Sequence, residues 1–231
     1  MRANHSFKFA LVALLLAGLA LGCPAARAQT DVAASVYGAF NGATSGNGVH
    51  QSPSNSAGIL IELRHISSPL VGYEATYAYN RANQHYTEPA PPCPALSTCS
   101  PSTISVPADA HELTGDWVVS LGIGSFRPFA LAGGGLLLNV PTQGSVTTSG
   151  SQCTLGSTCP QNTSTSVSTK TSTQGVFVYG AGLDWTVLPH LGLRFQYRGN
   201  LYKAADLTNA FSSTNAFTHT SEPMVGAYLR F

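Results

Sequence analysis

The sequence predicts an all-β chain: an eight-stranded antiparallel up-and-down transmembrane β-barrel with short periplasmic turns and long extracellular loops. Three observations lead there. Only 9% of the 231 residues are charged while 43% are hydrophobic, whereas an ordinary soluble domain carries about 25% charged residues. After residue 21 no apolar run approaches the ~20 residues of a spanning helix; apolar and polar residues alternate instead, with the period of a half-buried strand. The connections between these alternating segments are short and long by turns. The same composition excludes other classes. Hydrophobicity is too high for a disordered chain, and a formal net charge of +1 lacks the basic excess of a nucleic-acid binder.

The N-terminus reads as a cleaved export signal covering residues 1–28. Arg2 and Lys8 form a positive start, residues 9–21 are continuously apolar, and Ala26-Arg27-Ala28 is a small-x-small cleavage site. Cys23 is a weaker alternative processing point, because Pro24 follows it and Ala20 stands where a lipidation signal carries an aliphatic residue. The mature domain is then 29–231, with eight basic and ten acidic residues. Export also implies an oxidising compartment.

The predicted strands are 31–40, 57–66, 70–79, 111–124, 129–139, 175–185, 191–199 and 223–231. Residues 67–69, 125–128 and 188–190 make the short connections; 41–56, 80–110, 140–174 and 200–222 make the long ones. In the first strand Val32, Val36 and Phe40 look outward, with Tyr37 ambiguous. The second sets Ile59, Ile61 and Leu63 against Glu62 and Arg64. The third sets Val71, Tyr73, Tyr77 and Tyr79 against Glu74, and the fourth sets Leu113, Trp117, Val119, Leu121 and Ile123 against Glu112 and Asp116. The fifth is apolar on both phases, and Gly133-Gly134-Gly135 leaves its register open. The sixth sets Phe177, Tyr179, Leu183 and Trp185 against Asp184. The seventh sets Leu193, Phe195 and Tyr197 against Arg194 and Arg198, and the eighth sets Val225, Ala227, Leu229 and Phe231 against Arg230. Outward aromatics near strand ends suit interfacial girdles.

A cationic side chain facing lipid at mid-membrane costs about 2–4 kcal/mol, so charges should share the lumen-facing phase. Nine do: Glu62, Arg64, Glu74, Glu112, Asp116, Asp184, Arg194, Arg198 and Arg230. The lumen of eight strands is just wide enough for side chains to fill, so these nine are expected to pair as an interior charge network, Arg194 with Asp184 for example. A soluble β-sandwich would also alternate, but it leaves the export signal and the loop rhythm unexplained.

The last eight residues, Met224-Val225-Gly226-Ala227-Tyr228-Leu229-Arg230-Phe231, resemble the terminal assembly signal of outer-membrane barrels. Gly226, the hydrophobic Leu229 and the final aromatic Phe231 carry the likeness; Met224 departs from the usual polar residue. The chain is thus similar to small barrels of the OmpA/OmpX-like class without a periplasmic domain. That resemblance implies a Gram-negative outer membrane, surrounding lipid and lipopolysaccharide, and the barrel-assembly machinery as a partner during insertion. It implies no cofactor.

Two motifs in the long loops and one pair near the eighth strand are candidates for chemistry. Cys93, Cys99, Cys153 and Cys159 form two C-x₅-C units. Two local disulfides are expected, each worth about 2.4 kcal/mol in the chain-entropy model; bridges between the two loops are the other pairing. The spacing is not that of a metal site, and neither unit contains histidine. His219-Thr220-Ser221 resembles the His-x-Ser pair of outer-membrane lipid A deacylases, but no acid follows Glu222 to orient the histidine. The expected function is structural or surface-interacting, with an extracellular ligand or cell surface met by the outer loops and no nucleic acid. A narrow ion-conducting pore and a lipid A-modifying enzyme are the alternatives.

Overall fold

A strand that separates lipid from a polar lumen must alternate, and the first strand, β1 (Gln29–Asn41), does so. Val32, Val36 and Phe40 are exposed on its outer side, while Asp31, Ala33, Ser35 and Tyr37 are buried within. The computed structural model describes residues 29–67, 70–90, 101–150 and 163–231. The predicted signal segment 1–28 and all four cysteines of the C-x₅-C units lie outside these residues.

Eight long strands build the wall: β1, β4 (Ser56–Ile66), β5 (Val71–Glu88), β6 (Ser102–Ser120), β7 (Phe126–Pro141), β10 (Ser172–Leu188), β11 (Leu191–Lys203) and β12 (Phe217–Arg230). Each pairs antiparallel with the next of these in sequence, and β12 pairs back onto β1, as in Val36↔Val225. Closure leaves no wall strand with an open edge along the band, which a lipid-exposed sheet could not tolerate.

Several boundaries differ from the sequence expectation. The fourth strand ends at Ser120, not 124, and Leu121 and Ile123 belong to the turn, where Ile123 N donates to the Phe126 carbonyl. Gly124 sits there at φ +60°, a conformation that glycine adopts without steric cost. The fifth strand, β7, has a definite register. Phe129, Leu131, Leu137 and Asn139 are buried inside; Gly133 and Gly135 share that phase. A Cβ on Gly133 would strike the Asp116 carboxylate, and one on Gly135 the Leu113 carbonyl. The triplet is smooth because the neighbouring strand fills the space.

Among the described residues, the first three long connections are largely sheet rather than loop. β2 (Thr44–Gly46) and β3 (Val49–Pro53) form a hairpin that adds to β5. β8 (Ser145–Gly150) and β9 (Thr163–Ser168) form another, attached to β6. β5 and β6 themselves stay paired from Val71↔Val119 to Glu88↔Ser102, well beyond the nine or so residues that cross a membrane at about 45° tilt.

Along β6 the hydrophobic phase reverses. Glu112, Thr114 and Asp116 are buried and polar, facing the lumen, while Leu113 and Trp117 are exposed and apolar. Eight residues earlier the same inward phase carries Ile104, Val106 and Ala108, and the outward phase carries Thr103, Ser105 and Asp109. In lipid the outside must be apolar; in water the inside must be. The reversal marks the edge of the apolar band. Beyond it, Val49, Tyr86, Ile104, Val106, Val146, Ala205, Leu207 and Phe211 make a compact core. Part of that core comes from segment 204–216, which dips into the mouth. Tyr86 Oη donates to the Ala205 carbonyl at 2.7 Å and accepts from Leu207 N at 3.3 Å.

Candidate functional site

Among the described residues, the lumen is where the wall strands bring a network of buried charged side chains together. Arg194 on β11 is its hub. Its Nε donates to Asp184 Oδ1 at 2.7 Å, Nη1 to Glu62 Oε2 at 2.7 Å and Nη2 to Asp31 Oδ1 at 2.9 Å. One guanidinium thus ties β11 to β10, β4 and β1. Arg64 continues the network: Nε donates to Glu74 at 2.8 Å and Nη1 reaches Asp184 at 3.3 Å. Its guanidinium carbon lies 4.0 Å over the Phe129 ring centroid, close enough for a cation–π contribution in a desolvated site. Tyr228 presents its ring to Arg194 at 5.3 Å and to Arg230 at 5.4 Å.

Arg198, four residues further along the same face, reaches across to β5 and β6. It donates to Thr76 Oγ1 at 3.1 Å, Thr114 Oγ1 at 3.2 Å and Glu112 Oε1 at 3.2 Å. Thr114 in turn donates to Asp116 at 2.9 Å, and Asn200 Nδ2 donates to Glu112 Oε2 at 2.9 Å. Buried charges survive only when paired and hydrogen-bonded in this way.

Eight of the nine charges singled out in the sequence are buried in the lumen. Arg230 is the exception. It is half-buried at the short-turn mouth and donates to Tyr228 Oη at 3.4 Å; among the described residues no carboxylate pairs with it. Sequence reasoning missed two members. Asp31 shares the inward phase of β1 and was legible by that phase. Glu222 falls in the predicted connection 200–222, but β12 begins at Phe217 and places Glu222 inside at 5% exposure.

His219 and Ser221 lie on the outer wall, and the structure does not bring them together as base and nucleophile. His219 Nε2 is hydrogen-bonded to Tyr179 Oη at 2.9 Å, and Ser221 Oγ to Tyr197 Oη at 3.0 Å. Glu222, buried in the lumen, cannot orient the His219 ring. The assembly-signal residues split by phase: Leu229 and Phe231 are exposed outside, whereas a Cβ on inward-facing Gly226 would strike Ser35 and the Ala34 carbonyl. Among the described residues no group of three or more His, Cys, Asp or Glu is arranged to hold a metal ion.

Beyond the apolar band, Arg81 Nε donates to Asp109 Oδ1 at 2.6 Å on the outer wall. This hydrogen bond holds the Asp109 carboxyl below its ordinary 3.8. A depressed carboxylate stabilises the fold above the unfolded value and loses that contribution as pH falls through the lowered one. The Asp109 titration followed by NMR is expected to have its midpoint below 3.8, and Arg81→Gln is expected to move it upward. The pair is exposed, so global stability should barely respond.

OprG of Pseudomonas aeruginosa superposes with a TM-score of 0.52 at 10% identity, over 88% of this chain and 95% of that one; at that identity the likeness is one of fold. Ail of Yersinia pestis gives 0.45 at 15% identity, over 89% of this chain and 100% of that one. Neisserial surface protein A gives 0.43 at 14%, over 90% and 100%. No curated protein matches the sequence. The family model described as the outer membrane protein beta-barrel domain matches residues 11–223, and with a closed eight-stranded antiparallel wall around a charged lumen, the chain belongs to that family.

Proposed function

We propose that this outer-membrane barrel is a closed scaffold that presents its long-loop end to the cell exterior for contact with a ligand or another surface. The observation that carries the reading is the filling of the lumen. Arg64, Arg194, Arg198, Glu62 and Glu74 are among its largest fully buried side chains, and the core around Leu207 and Phe211 covers the other end. The sheet that continues past the apolar band, with the β2–β3 and β8–β9 hairpins, supplies a stiff platform. In this reading residues 1–28 direct export, and Gly226, Leu229 and Phe231 are read by the assembly machinery. Lipid and lipopolysaccharide surround the wall, and the C-x₅-C units stiffen loop tips through disulfides.

Purified protein in a planar bilayer is expected to give no discrete conductance steps. Replacing residues 145–168 with a short Gly-Ser turn is expected to leave the folded, heat-modifiable band on gels intact while lowering adhesion of expressing cells to surfaces. Regular conductance steps from the unaltered protein would replace this reading with the narrow pore. Ester release from lipopolysaccharide that is lost in Ser221→Ala would replace it with the enzyme.

A further inference from the structure

Charge does not balance evenly along the lumen. Toward the short-turn end Asp31, Glu62, Glu74 and Asp184 face Arg64 and Arg194, with Arg127 and Arg230 half-buried at the mouth. Toward the long-loop end Glu112 and Glu222 are buried; Arg198 pairs with Glu112 at 3.2 Å and lies 3.8 Å from Asp116, the register partner of Glu74. Glu112 and Glu222 line an interior cavity of about 30 Å³, and Arg198 is ion-paired with Glu112. Glu112, Glu222, Asn200, Tyr37, Tyr202 and Thr220 are among its lining residues, which include neither histidine nor cysteine. Two oxygens there make no hydrogen bond: Glu222 Oε2 and Asn200 Oδ1, on side chains whose residues are 5% and 1% exposed. Buried polar atoms without a partner are rare, and each calls for an explanation such as an ion or a water.

We propose that this cavity binds one hard cation through oxygen ligands, with Glu222 Oε2 and Asn200 Oδ1 the ligands left open for it. The chemistry matches calcium. Calcium takes six to eight oxygens in flexible geometry, drawn from carboxylates, amide carbonyls and water. A cation there offsets the charge of the Glu222 carboxylate, which no arginine ion-pairs among the described residues. Magnesium holds its water shell more tightly and demands near-ideal octahedral geometry, which suits a cavity of this size less well. The bound ion would join β12 to β11 and, through Glu112, to β6, directly beneath the apolar core at the mouth.

The test uses full-length mature protein folded in detergent and stripped with EDTA. Its melting temperature is measured at fixed pH and matched ionic strength in choline chloride, NaCl, MgCl₂ and CaCl₂. CaCl₂ is expected to raise it saturably, and choline chloride is expected to leave it unchanged. The shift is expected to vanish in Glu222→Gln and to persist in Glu88→Gln, a carboxylate far from the cavity. If Glu222→Gln does not fold, Asn200→Ser takes its place and is expected to weaken the response. Terbium emission sensitised by tyrosine gives a second readout, expected to fall as CaCl₂ displaces the lanthanide. A saturable NaCl response lost in the same variants supports the same site with a monovalent occupant. An absence of any ion-specific shift, or a shift retained in Glu222→Gln, overturns the proposal.

Discussion

Replacing Arg194 with methionine is expected to cost about 3–5 kcal/mol of folding stability, the penalty for removing one partner of a buried ion cluster. The side chain is fully buried and bonds Asp31, Glu62 and Asp184 at once. Without it three carboxyls on three strands face one another with only Arg64 nearby, and Arg64 already serves Glu74. Methionine fills a similar volume, so the loss measures charge rather than packing. Lysine is expected to recover little. A single ammonium cannot direct separate N–H groups to three carboxyls as the planar guanidinium does. Urea unfolding of the detergent-folded protein, followed by tryptophan fluorescence, reads the difference. A loss below about 1 kcal/mol would show that the carboxyls neutralise themselves by taking up protons, and that Arg194 is not the organising charge. The triple variant Asp31→Asn, Glu62→Gln, Asp184→Asn in the methionine background separates the two cases: it should regain stability only if unpaired carboxylates caused the loss.

How far the sequence reveals this molecule depends on whether one phase of a strand must differ from the other. Within the apolar band it must. The outward run Tyr73, Tyr77, Tyr79 and the inward Glu74 fix β5 without any structure, and the same logic places Arg194 and Arg198 together on β11. The logic weakened where neither phase was forced. In β7, Gly133 and Gly135 are set by what Asp116 and Leu113 need from the neighbouring strand, information that lies about twenty residues away in the chain. Beyond the membrane the rule still operates with its sign reversed. Ile104, Val106 and Ala108 alternate cleanly with Thr103, Ser105 and Pro107, but the apolar side now points inward. A search for one fixed phase reads the stretch as loop. Segment 204–216 has no period at all. Its inward turn rests on Tyr86 and on Lys170 pairing with Asp206 at 2.8 Å, contacts no local pattern announces. The lumen's acids were legible in the same uneven way. Those in mid-strand are plain from the alternation; Asp31, the first residue of its predicted strand, is legible only by phase, and Glu222 is hidden because β12 begins at Phe217 rather than Pro223.

The outer wall offers the second large effect. Ile61 lies midway along the outward face of β4, 48% exposed, between Ala34 of β1 and Tyr77 of β5. Ile61→Arg is expected to destabilise the barrel in lipid vesicles by about 2–4 kcal/mol, the cost of a guanidinium near the bilayer midplane. Phe217→Arg is expected to change stability by only about 0–1 kcal/mol, because an arginine near the interface reaches headgroups and water. Phe217 is 65% exposed, more than Ile61, and it stands at the outer end of β12 opposite Lys203. Depth, not exposure, therefore separates the two variants. In a soluble sandwich both positions would face water, and both arginines would be nearly neutral. Equal small effects in vesicles would thus show that this face does not meet lipid, and the inward phase assigned to the lumen charges would fall with it. A steep difference ties the hydrophobic alternation, the reversal along β6 and the burial of Arg194 to one cause, the change of solvent from hydrocarbon to water along the barrel axis.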